Sequence, residues 1–146
     1  MAAMARDIQR FEVSLKAFIV RDGRVLLLRE SDTGWWELPG GRIDVGEEWQ
    51  PHADILAREI AEELGADVRL DVSPQAVTWV RYRAMDGMHL LIIARPASLI
   101  AGEPRLSDEH DDLLWIDRDG WQQLEFPPQS GYREALSRLW ALAGGQ

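Results

Sequence analysis

The sequence predicts an α+β fold in which a mixed sheet carries helices on both faces. Three observations lead there. Strand-like apolar runs stand on both sides of a central stretch, that stretch holds a glutamate-rich amphipathic helix, and a second helical pattern closes the chain. Strands that flank two separate helices in this way can bury each face of the sheet against one of them. A length of 146 residues suits one domain with a sizeable core, so residues 1–146 are expected to form a single domain.

The elements follow in order. Phe11–Val20 reads as a strand, and Arg21-Asp22-Gly23 turns it into a second, Arg24–Arg29. Ser31–Gly34 is a loop leading to Trp35-Trp36. Leu38-Pro39-Gly40-Gly41 is a turn in which backbone can approach a ligand closely, because glycine has no Cβ, and Gly46-Glu47 is a second break. The helix that follows has Pro51 in its first turn and Gly65 at its C-cap. Its Ala53, Leu56, Ala57, Ile60 and Leu64 recur at core-facing spacing. Ala76–Arg83 and Met88–Arg95 are strands joined at Asp86-Gly87, a hairpin signal, and Leu113–Asp117 is a short strand. Gly131–Ala143 has helical spacing at Ala135, Leu136, Leu139, Trp140 and Ala143. The chain contains no repeat, low-complexity run or linker.

Composition narrows the function classes. An apolar content of 46% argues against disorder, and the absence of any apolar run near 18 residues argues against a membrane-spanning helix. Met1 to Arg10 lacks the apolar stretch of a secretory signal, and zero cysteines excludes disulfides and thiolate zinc sites, so a cytoplasmic location is expected. A net charge of −9 argues against nucleic acid polymers as partners. It does not exclude a small phosphate ligand, because a bound cation can supply positive charge locally.

The informative segment runs from Gly41 to Ala66. Glu59, Glu62 and Glu63 stand at i, i+3 and i+4 and share one side of the helix. Like charges at this spacing repel by roughly 0.2–0.5 kcal/mol per pair. A hard divalent cation held by oxygen ligands reverses the sign of that interaction. Alone, such a run also describes a solvated acidic face. The two glycine breaks before it and the Arg58-Glu59 pair within it make the combination more specific.

The stretch Trp36-Glu37-Leu38-Pro39-Gly40-Gly41, Gly46-Glu47 and Arg58-Glu59-Ile60-Ala61-Glu62-Glu63-Leu64-Gly65 resembles the signature of the Nudix hydrolases, G-x5-E-x7-R-E-U-x-E-E-x-G-U with U a bulky apolar residue. The resemblance implies an α/β/α sandwich and Mg2+- or Mn2+-dependent cleavage of a nucleoside diphosphate linked to another group. Two departures stand out: Ala66 fills the last apolar position, and ten residues separate Glu47 from Arg58 where the family has seven. Inside a helix, three extra residues would turn its face by about 60° and shift it by about 4.5 Å. A longer loop around Glu48–Gln50 absorbs them without disturbing Arg58 to Gly65, so the departure bears on Glu47 rather than on the helix carboxylates.

The resemblance also implies roles. Glu59 and Glu63 are metal ligands, Glu62 is a ligand or lies nearby, the Gly40 carbonyl adds a backbone oxygen, and Arg58 orients the carboxylates. Family members differ in their general base. Ser107-Asp108-Glu109-His110-Asp111-Asp112 precedes a strand where such a residue would lie, with Glu109 the first choice and Asp112 the second. His110 reads as an incidental loop histidine.

Candidate substrate contacts are Arg29, Trp36 (or its neighbour Trp35), Glu47 and Tyr82. Arg29 ends a strand leading toward the cleft, a tryptophan could stack on a base, and Tyr82 lies 17 residues after Gly65, near a tyrosine of dinucleoside polyphosphate hydrolases. The proline of many ADP-ribose pyrophosphatases would fall near Arg81 and is absent. Phe126-Pro127-Pro128 resembles the Phe-Pro-Pro of MutT-type enzymes, but Ser130 stands where those carry a base-reading asparagine.

The expected partner is a small-molecule nucleotide, most simply a nucleoside triphosphate cleaved to monophosphate and pyrophosphate. Dinucleoside polyphosphates and nucleotide sugars are the alternatives within that class. The other classes are a nucleotide sensor without turnover and an interaction domain whose acidic helix meets a basic partner. A monomer and a homodimer are both compatible with the sequence.

Overall fold

The computed structural model describes residues 5–144. In chain order it holds β1 (Glu12–Arg21), β2 (Arg24–Glu30), β3 (Trp36–Glu37), β4 (Gly40–Arg42), α1 (His52–Leu64), β5 (Arg69–Val72), β6 (Val77–Arg83), β7 (Met88–Ala101), β8 (His110–Ile116), α2 (Arg118–Trp121) and α3 (Tyr132–Gly144). The strands form one mixed sheet.

β1 is its axis. It runs parallel to β7, from Glu12 opposite Leu90 to Val20 opposite Ser98. Its other edge is shared. β2 pairs with it only at Val20 and Arg21, whereas β4 pairs with Ser14, Leu15 and Lys16. Between those two stretches the Ala17 N–H donates to the Pro39 carbonyl at 3.0 Å. The partner of β1 therefore changes at the Pro39-Gly40 turn, and β2 carries β3 and β8 on its own edges.

Alternation along β1 serves two cores. Leu15, Ala17 and Ile19 pack with Ile55, Leu56, Ile60 and Leu64 of α1. Phe18 faces the other way, with Trp121, Tyr132, Leu136 and Leu139 of α2 and α3. Each aliphatic side chain buried in this way contributes about 1.5–3 kcal/mol. This is the expected sandwich, with α1 on one face and α3 on the other.

The structure extends the expected elements in ways the pattern did not carry. β8 starts at His110 rather than Leu113, because His110 pairs with Glu30 across an irregularity in β2. β7 runs on to Ala101 by pairing with β5, which has polar Arg69 and Asp71 in alternation and gave no apolar run. β3, β4 and α2 span two to four residues each, too short for periodicity. Among the described residues no helix is long and apolar enough to cross a membrane.

Candidate active site

The glycine turn and the acidic helix face meet. A Cβ at Gly40 would overlap the Leu15 carbonyl, so that position has no room for a side chain, and one at Gly41 would displace the Glu59 carboxylate. The Gly40 N–H donates to both carboxylate oxygens of Glu63 at 3.3 and 3.4 Å. Glu63 is only 6% exposed, and burial pushes its carboxyl up to about 7 against the opposing pull of Lys16 and His110. Burial likewise raises Glu59, opposed by the neighbouring Arg58.

Arg58 ties the acidic face together. Its Nε and Nη2 donate to the two oxygens of Glu47 at 2.9 and 2.8 Å, and further donors reach Glu59 and Glu62 at 3.0 Å each. Glu47 is held a second time by the Asp44 N–H at 2.9 Å. That bond, then Arg58, keeps its carboxyl below the usual range. Residues 48–51 lie outside the helix, and the Glu47–Arg58 fork closes across them.

Beside this junction opens a cleft of about 550 Å3. Ser14 and Lys16 of β1, Arg81 of β6, Glu37, His110 and Tyr132 line it, and all six are buried. His110 Nε2 lies 3.0 Å from Glu37 Oε1, and Lys16 Nζ lies 3.9 Å from Glu37 Oε2. Burial alone would raise Glu37, yet Lys16 and then the His110 hydrogen bond hold it below the usual carboxylate range. Burial would lower His110, and its bond to Glu37 holds it above its ordinary value instead. The Tyr132 hydroxyl accepts from the Leu38 N–H at 3.4 Å and is pushed up to about 12, chiefly by burial.

The expected site residues divide. Gly40, Glu63, Tyr82 and Glu109 border the cleft. Tyr82 does so with its ring 4.9 Å from the His89 ring, its cross-strand neighbour. Glu59 lies behind Gly41, and Glu62 is exposed with Arg58 as its partner. Among the described residues, no three acidic or imidazole side chains converge as a ligand set: Glu59 is drawn to Arg58 and Glu63 to the Gly40 N–H.

Three expected substrate contacts are engaged away from the cleft's open lining. Trp36 is buried in the core with Leu38 and Phe126, because alternation in β3 turns it inward, and Trp35 lines the cleft instead. Arg29 is paired with Asp111 at 2.7 Å, outside the cleft. Glu47 has both oxygens engaged by Arg58 and the Asp44 N–H. Asp112, the second choice for a base, accepts from the Leu113 N–H at 2.8 Å within β8 and does not line the cleft. His110 is not an incidental loop residue: it begins β8 and is buried against Glu37.

Sequence reasoning passed over Lys16, Glu37 and Arg81. A signal existed for two of them. Lys16 interrupts an apolar run at the centre of β1, and Arg81 sits mid-strand at an inward register in β6. A charge at such a position requires a partner or a ligand.

A family model for the NUDIX domain matches residues 11–139 of the chain. The chain belongs to the Nudix hydrolase family. A MutT-like protein from Streptomyces ambofaciens is 35% identical over 108 residues, covering 73% of this chain and 64% of that relative, so the match spans less than two thirds of the relative's length. Among solved structures, the MutT NUDIX hydrolase from Burkholderia pseudomallei has a TM-score of 0.69 at 32% identity, covering 90% of this chain and 99% of that one. A UDP-X diphosphatase shares the fold with a TM-score of 0.75 at 21% identity over 96% of this chain and 66% of that one. The stretch from Gly41 to Ala66 is thus this chain's Nudix box.

Proposed function

We propose that the whole chain is one Nudix domain that hydrolyses a phosphoanhydride in a nucleoside diphosphate-X compound, with a nucleoside triphosphate cleaved to monophosphate and pyrophosphate as the preferred case. The observation that carries this reading is the meeting of buried Glu63 and Glu59 with the side-chain-free Gly40-Gly41 junction at the head of a polar cleft. The donor set is all oxygen, as a hard cation prefers. Glu63 is a nearly buried carboxylate with no cation within ion-pair distance among the described residues, so Mg2+ or Mn2+ fits there.

Glu59 and Glu63 would hold the metal, with Glu62 at the rim and the Gly40 carbonyl as a backbone donor. When bound, it supplies charge neutralisation at phosphoryl oxygen and a more acidic water. The chain's own residues do the rest. Arg58 fixes the carboxylates through its fork to Glu47 and its bonds to Glu59 and Glu62. The glycine junction lets the phosphate chain approach the backbone. Glu109, on the cleft's edge, accepts the proton of the attacking water. The new P–O bond forms as the anhydride P–O bond breaks.

The cleft's Pro128 and the Phe126 ring stacked on Tyr132 support a MutT-like choice of substrate. Tyr82 on the cleft's edge is the one observation that favours dinucleoside polyphosphates as a second reading. A panel of nucleoside triphosphates, dinucleoside polyphosphates and nucleotide sugars, incubated with Mg2+ or Mn2+ and with both products identified, decides between them. Monophosphate plus pyrophosphate is expected, and no turnover on any member would overturn the reading.

A further inference from the structure

Arg81 is 8% exposed and lies at the centre of β6. Among the described residues its guanidinium has no ion pair and no hydrogen bond, and its Nε is fully buried without a partner. Its neighbour Arg83 binds Asp86, and Arg58 binds three glutamates, so a carboxylate partner is this chain's usual arrangement. A buried charge without one is unfavourable, so the donors of Arg81 are directed at something the cleft takes in.

Position assigns the group that would meet them. β4, β1, β7 and β6 are successive neighbours, and Gly40 is level with Lys16, Ala94 and Val77, so Arg81 stands three strand spacings across (about 14 Å) and four residues along (about 13 Å) from the glycine junction that receives phosphate. That is the far end of a nucleotide. Leu90, Ile92 and Pro128 give this end apolar walls suited to a ring. Arginine is a donor only.

We propose that Arg81 selects the nucleobase, accepting guanine or uracil over adenine or cytosine. Guanine presents O6 and N7 side by side, the pair a guanidinium fork fits, and uracil presents O4. Adenine and cytosine put an amino donor at the corresponding place, where it would face another donor. The inference rests on the hydrolase reading above and names its substrate class.

The test compares kcat/KM for GTP, UTP, ATP and CTP with Mg2+. Wild type should favour GTP and UTP by about tenfold or more. Arg81→Met should reduce that preference to less than about threefold, with the change in KM rather than kcat, and Arg81→Gln, which adds an acceptor, should raise ATP relative to GTP and serves if the Met variant does not fold. A wild type that prefers ATP, or a preference unchanged in both variants, overturns the proposal. If wild type hydrolyses none of the four, the hydrolase reading fails instead. Calorimetry with GMP and AMP then decides the subsite: tighter GMP supports it, and equal or tighter AMP overturns it.

Discussion

Two groups of charges flank the glycine junction and are built on opposite terms. Around Arg58, three box glutamates share one guanidinium, and both Arg58 and Glu62 are open to solvent. Around Glu37, Lys16 and His110 share one carboxylate in a wall from which water is nearly excluded. The exposed Arg58–Glu62 pair contributes about 0–1 kcal/mol, so its place in the network is better read as orientation than as stability. The Glu37 group is the reverse. Glu37 holds Lys16 and His110 in the charged state and they hold it ionised in turn, so removing Glu37 strands both cations in the low-dielectric interior.

Variants can break or sharpen that contrast, and the largest effect is expected where the two groups meet. Glu63→Gln should lower Mg2+-dependent kcat by about a hundredfold or more while circular dichroism shows an intact fold. Near-normal turnover would remove Glu63 from the metal site. Next comes Glu37→Leu, which leaves two buried cations without their anion and should cost about 3 kcal/mol or more in urea unfolding. A loss below about 1 kcal/mol would mean that the wall is solvated.

The same group predicts a pH signature. Glu37 lies below its unfolded value, so its contribution is present above the usual carboxylate range and lost as pH falls through the lowered value. His110 lies above its own, so its contribution is full below 6.5 and lost as pH rises through the raised value. Glu37→Leu should flatten both limbs of a melting-temperature profile.

Glu109→Gln should lower kcat by more than about tenfold; a mild effect would move the proton acceptor elsewhere. Smallest of all, Glu62→Gln should change stability by less than about 0.5 kcal/mol, since it breaks only an exposed pair one helical turn apart. A larger loss would show that the Arg58 network is structural after all.

The contrast also explains what could be read from the sequence. Arg58, Glu59, Glu62 and Glu63 lie within one helix, where spacing alone fixes which side chains share a face, and Gly40-Gly41 carries its own backbone signal. Both cores were legible for the same reason: Leu56, Ile60 and Leu64 repeat at the helical period, and β1 is a continuous apolar run apart from Lys16. The cleft wall was not legible, because Lys16, Glu37, Arg81 and His110 are brought together by strand pairing from four distant places. The surroundings of Trp36 and Arg29 were not legible for a related reason. Their residue types suit a ligand, but strand alternation gives one to the core, and Asp111, across from β2, takes the other.

The Glu47–Arg58 fork has one more consequence. Ten residues separate its members, yet both ends are anchored, one by the Asp44 N–H and the other by the helix. Lengthening a flexible connection from seven to ten residues costs only about 0.3 kcal/mol in closure entropy. What this chain keeps in space is therefore the clasp, across a longer connection between its halves. Residues 48–51, with Trp49 standing out into solvent, form a hem that can be let out or taken in without unfastening the metal side of the cleft. Searches that fix this gap at seven would pass over chains that carry every chemical group of the box.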